Sequence, residues 1–369
     1  MKTKPAVVRN GKVEFWRFIF SVIIVIHHSR ALLGDENCMF LGGSLAVEFF
    51  FLVSGYLMMA SIEKKKEPPV ALGTETLGYI GRKLKGLLPE LLVAHVIALI
   101  FASYAKQYDF SGVIRLFMDT FFEVTQLKMS GLPSASLNGA TWYISSMLLC
   151  MAILYPLIRK FPNVMTRIVT PLIALFLLGY LSKAYVAPRD PLKWTGFAMK
   201  GTIRAMAELC LGVICFYGAK SLSRLSLSKL GKALVSAAEW LSYLIAIYYM
   251  YTQKAGKYDF FIIAIMMVGV SLTFSHQGLD AKLFDCKLFV VLGRWSLPLF
   301  LSHIFYGQRL NQVLPEGMSD NRKMAIYLCC SVVTAVFVHL ISNLLRKCGP
   351  SIGAAAKRLL LKEQETTSE

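Results

Sequence analysis

Long apolar runs, broken by short polar segments, recur along the whole chain of 369 residues. A helix needs roughly 20 mostly apolar residues to cross a bilayer. Ten runs meet that measure: 15–33, 41–62, 88–106, 139–158, 166–187, 196–219, 233–251, 259–275, 288–308 and 324–345. Runs of this length exceed the core helices of soluble domains. They predict an all-α membrane protein, a bundle of about ten transmembrane helices, with short terminal segments at 1–14 and 346–369. Segment 111–127 carries Arg115, Asp119 and Glu123 among apolar residues and predicts an amphipathic helix at the interface. Residues 363–369 are polar and predict an unstructured tail.

Composition agrees with this pattern. Apolar and aromatic residues make up 56% of the chain and charged residues only 17%, with a mean hydropathy of +0.54. The net charge of +18 would suggest nucleic acid as a partner of a soluble protein. Here no basic groove interleaved with aromatics lies outside the apolar runs, so nucleic acid is excluded. With the first terminus inside, the inner segments hold 24 Lys and Arg and the outer ones 12. That bias predicts both ends on the cytoplasmic side of the inner (cytoplasmic) membrane. The basic start followed by an apolar stretch is similar to a signal peptide, but the stretch is too long and lacks a small-residue cleavage site, so it predicts a retained first helix. None of the eight cysteines forms a CxxC pair. They read as apolar fillers, and no metal-ligand cluster is visible.

Ionisable residues inside a span are costly, and each is a functional candidate. In the first span Arg17, Ser21 and His28 fall within about 40° on the helical wheel, while His27 lies about 80° away. In the second, Ser44, Glu48 and Gly55 share a face, and Gly55 would let a ligand or helix approach. At 1.5 Å per residue His28 and Glu48 reach similar depth, which predicts a dyad with the carboxylate holding the imidazole. Arg82, Lys83 and Lys85 precede Pro89 at a span end. They serve either as positive-inside residues or as a clamp for phosphate, to which Arg17 could add. Asn138, Trp142 and Tyr143 open a span as an aromatic belt or a substrate contact. Arg204 and Glu208, four apart, predict mutual pairing. Arg294, Ser296, Ser302 and His303 lie on the ninth span, with His303 at about the depth of His28. His95 and His339 are lone and read as structural.

These residues fall into a familiar order. The Arg17-to-His28 spacing resembles the first helix of the acyltransferase-3 membrane O-acyltransferases. GGSLAVEFFFLVSGYLM resembles that family's GxxGVDxFFVxSGFL segment, with Glu48 for the commoner Asp. RKLKGLLPELL is similar to its RRxxRIxPxY segment, with Lys85 for the second Arg and Leu91 for an aromatic. TWYISSMLLCMAILYPLI and LGRWSLPLFLSHI are similar to its later segments, so the likeness covers about residues 12–345. The resemblance implies an enzyme that moves an acyl group, usually acetyl from acetyl-CoA as co-substrate, onto a carbohydrate hydroxyl, with no bound cofactor. It implies an essential His28, and Arg17, Arg82 and Lys85 at the acyl-donor site. Lys85 keeps the charge but loses a bidentate phosphate contact.

Residues and resemblance together predict His28, oriented by Glu48, as general base or as nucleophile, with Lys83 joining the donor clamp and Trp142, Tyr143, Ser302 and His303 on the acceptor side. Two other classes compete. One is a glycan or lipid transporter, for which repeated halves would speak, and none is visible. The other is a haem protein ligated by His28 and His303 across a cofactor-sized gap.

Overall fold

The computed structural model describes residues 10–366 apart from 66, 70, 186 and 255, and beyond residue 348 the backbone only. Among the described residues the chain is helical, with a single isolated bridge between Trp194 and Met199. Among the described residues nine helices are long and apolar enough to cross a membrane, and a tenth apolar helix, Asp259–Ser275, has 17 residues. The chain is therefore a multi-pass helical membrane protein.

The membrane helices in order are α1 (Gly11–His28), α2 (Ala46–Glu63), α3 (Leu72–Lys106), α5 (Trp142–Lys160), α6 (Thr170–Tyr185), α7 (Lys200–Leu222), α8 (Lys229–Thr252), α9 (Asp259–Ser275), α10 (Lys287–Ser302) and α12 (Asp320–Thr366). Between them lie the short helices α4 (Phe110–Asp119) and α11 (Ile304–Arg309), along with several helical turns of three to five residues. Helix α4 corresponds to the predicted amphipathic segment but stops at Asp119, and it exposes Phe110, Ile114 and Met118. A separate turn, Phe121–Val124, carries Glu123 inward.

Three boundaries differ from the sequence expectation. Helix α1 begins four residues early because the Asn10 side chain accepts from the Lys12 and Val13 backbone N–H groups, a standard N-terminal cap. Lys12 is consequently buried, paired with Glu239 and Asp280 at 2.7 Å each, and is not the solvated loop charge its position suggested. Helix α3 starts at Leu72, so Arg82, Lys83 and Lys85 lie on one continuous rod that runs through Pro89. Helix α12 continues through the predicted tail to Thr366, and residues 367–369 lie outside the described residues.

The most buried helix, α7, packs against α2, α5, α6 and α9. Its crossing with α2 is a backbone contact. A Cβ on Gly55 would lie 2.2 Å from the Leu209 carbonyl oxygen, and one on Gly212 would lie 2.4 Å from that of Leu52. The close approach expected of Gly55 is thus made to a helix, as small residues permit in membranes. A second group forms around α1 and α10, with α3 and α12 packed on α10. Outward faces of α6, α8 and α9 present Phe176, Tyr248 and Phe261 to the surroundings, as lipid-facing helices do.

Candidate active site

Helix α10 breaks at His303. Pro298 has no N–H to donate, Ser302 Oγ donates to the Pro298 carbonyl at 2.6 Å, and His303 Nδ1 lies 3.2 Å from the Leu299 carbonyl. The break turns the His303 ring toward α1. There His303 Nε2 stands 3.2 Å from His28 Nδ1, and His28 Nδ1 stands 2.8 Å from the Ile24 carbonyl oxygen.

These contacts determine the tautomers. A carbonyl oxygen can only accept, so His303 carries its proton on Nδ1, and so does His28. His303 Nε2 is then an acceptor for the His28 Nδ1–H, which it shares with Ile24. His28 Nε2 keeps its lone pair. His28 is half-buried, whereas His303 is fully buried. Neighbouring His27 turns away, its Nδ1 2.8 Å from the Phe40 carbonyl.

The expected pairing of His28 with Glu48 is not formed. The α2-facing side of α1 belongs to His27, whose Cβ would lie 2.6 Å from a Cβ on Gly43, and His28 faces α10 instead. Glu48 pairs with the Arg204 guanidinium, which also holds Glu208 at 3.1 Å and the Ser44 carbonyl at 3.2 Å. The Arg204–Glu208 pairing expected from their spacing is present, with Glu48 as a third member. All three are fully buried, and Trp142 covers the guanidinium with its ring at 5.3 Å. Trp142 is therefore a packing residue rather than a substrate contact. Ser302 is likewise fully buried and committed to its own helix. His28 and His303 are in direct imidazole contact, not set across the cofactor-sized gap that ligation of a haem by the two would need.

Two cavities open between the helix groups. The first, of about 330 Å³, is lined by the cationic Arg17, Arg82 and Lys83 and by the aromatic Phe50, Tyr143 and Phe300. Tyr143 Oη lies 2.9 Å from Ser54 Oγ and 3.1 Å from the Phe50 carbonyl oxygen. The Phe300 ring, on the wall of this cavity, lies 6.1 Å from that of His303. Lys85 is exposed and lines neither cavity. At two residues from Lys83 it stands on the other side of α3. The second cavity, of about 430 Å³, shares Arg17, Gly86, Leu87 and Leu297 with the first and adds Glu90, Gly293, Arg294, His339, Asn343 and Arg346.

A family profile described as "Acyltransferase domain" matches residues 10–343, nearly the whole chain and every residue of both cavities save Arg346. The chain belongs to the acyltransferase-3 family. No curated protein and no solved structure gives a significant match.

In this acyltransferase the histidine pair is supported by a loop whose role was not legible from spacing. Glu123 accepts from the Leu137 and Asn138 backbone N–H groups at 3.0 and 2.6 Å and pairs with Lys128 at 3.3 Å. Burial pushes its carboxyl above the usual range despite Lys128 and those N–H groups. Asn138 Nδ2 then donates to the Leu301 carbonyl at 2.8 Å, two residues before His303. The loop thereby holds the broken end of α10. His95, read as lone, contributes to this cluster through Thr120 at 3.3 Å.

Proposed function

We propose that the chain transfers an acyl group, acetyl first among them, from acyl-CoA to a hydroxyl of a surface or lipid-linked carbohydrate, with His28 as general base. The observation that carries this reading is the His28 tautomer, with Nδ1–H committed to Ile24 and His303 and Nε2 left as the proton acceptor. The acceptor hydroxyl gives its proton to His28 Nε2 as its oxygen bonds to the thioester carbonyl carbon. The tetrahedral intermediate collapses, the C–S bond breaks, and the thiol sulfur leaves with the proton held by His28. While His28 is cationic, the Ile24 carbonyl and His303 Nε2 both stabilise its Nδ1–H.

The first cavity suits the donor. Its cationic residues fit phosphates, and its apolar walls fit the long pantetheine arm that would carry the thioester toward Phe300. With both termini cytoplasmic in the inner membrane, as the basic-residue bias suggests, the cationic residues would face the cytosolic donor pool. The acceptor would then approach the histidines from the other side.

Mass spectrometry of surface glycans with and without the gene tests this. A shift of one acyl mass, lost again in the His28→Ala strain despite normal membrane insertion, is expected. Unchanged glycans, or full acylation by His28→Ala, would defeat the reading. General-base removal should cost about 10²–10⁴-fold in rate.

A further inference from the structure

The second cavity contains chemistry that the donor reading has not used. Three guanidinium groups, Arg17, Arg294 and Arg346, line it; Arg17 is paired with Glu14 at 3.4 Å and Arg346 with Glu90, so with both carboxylates counted the formal charge is +1. Arg346 is held in place: it pairs with Glu90 and donates to the Gly86 carbonyl at 2.8 Å. Asn343 Nδ2 lies 3.0 Å from His339 Nε2, and since an amide N–H donates, His339 accepts there and carries its proton on Nδ1. Stacking on Trp295, at 4.5 Å and 29°, fixes the His339 ring. Arg294 is exposed on the wall and makes no ion pair among the described residues.

We infer that this cavity binds a phosphomonoester dianion, the 3′-phosphate at the nucleotide end of the acyl donor. The inference rests on the acyl-CoA reading of the first cavity. Arg17 lines both cavities, so a ligand with two separate phosphate groups can place its diphosphate by Arg82 and Lys83 and its monoester beyond Arg17. A terminal monoester offers three free oxygens to these guanidinium groups where a lipid phosphodiester offers two, which favours the monoester. Planar guanidinium groups match the oxygens of a terminal phosphate in bidentate fashion.

Binding of CoA and of 3′-dephospho-CoA to the full chain in neutral phosphatidylcholine nanodiscs tests the assignment. The unaltered protein should bind CoA about tenfold more tightly, the effect of one charge-assisted hydrogen bond pair. Arg294→Gln should bind the two compounds equally, and Arg294→Lys should retain part of the preference. Equal affinities in the unaltered protein, or a preference that persists in Arg294→Gln, would overturn the subsite while leaving the donor reading intact. Failure to bind either compound would overturn both. Phosphatidylglycerol in the nanodisc separates the sources: CoA binding that weakens with anionic lipid in the unaltered protein but not in Arg294→Gln, without any preference for the 3′-phosphate, identifies a headgroup site instead.

Discussion

His303 Nε2 accepts a hydrogen bond from His28 Nδ1 at 3.2 Å, across the junction of two helices whose sequences lie 275 residues apart. The acceptor that steadies the proposed base is thus a neutral imidazole rather than a carboxylate. His303 is a positioning residue in this scheme. His303→Ala should lower kcat by about 10–100-fold, leave the donor KM nearly unchanged and displace the pH–rate profile. His303→Gln, which can restore an acceptor, should recover part of the rate. A KM effect without any change in the profile would point to a substrate contact.

Glu48 should behave differently from the catalytic partner its motif suggests. Glu48→Ala leaves the buried Arg204 with Glu208 alone, and breaking a buried pair costs about 3–5 kcal/mol. Thermal unfolding in detergent should show the loss, while the folded fraction keeps near-normal kcat. A variant that is stable but inactive would return Glu48 to the chemistry.

Along α3 the basic residues should separate by face. Arg82→Ala with Lys83→Ala should raise the apparent KM for acetyl-CoA about tenfold or more, since both line the first cavity. Lys85→Ala should leave it unchanged. Steady-state kinetics across the two variants decides the matter, and a strong effect of Lys85 would require a donor lying outside the cavity.

Acid should loosen the bundle at the start of α1. Burial alone would raise the Asp280 carboxyl, but hydrogen bonds from Lys12, Ser236 and Trp240 outweigh it and hold the group down to about 2. A carboxyl with a depressed pKa stabilises the fold above its ordinary value near 3.8, and that contribution disappears as pH falls toward 2. Unfolding measured between pH 5 and pH 2 should show this loss, and Asp280→Asn should flatten it from a lower starting stability.

Much of this arrangement can be read from the chain before folding. The ten apolar runs, the Arg17–His28 stripe and the matched depth of His303 all follow from helical geometry. Rotation between helices does not. A helical wheel gives the azimuth of His28 on α1 but not which neighbour occupies that direction, and adjacency in sequence favoured α2 where α10 is the true neighbour. Likewise Arg294 and Arg346 meet Arg17 only because α12 folds back on α3 and α10. Local rules also missed how far α3 and α12 extend, since their polar ends remain compatible with helix. The burial of Lys12 is likewise invisible in the sequence, because its two carboxylate partners come from α8 and the loop before α10.

Arg17 and His28 belong to one unbroken helix, eleven positions and about 16 Å apart. On the proposed reading α1 is a ruler whose zero is the phosphate end of the donor and whose mark is the site of proton removal. Insertion of one residue between them would swing the mark by about 100° and present another side chain to His303. That reading has acyl donors selected by reach as well as by charge, with the arm between phosphate and thioester matching three turns of helix.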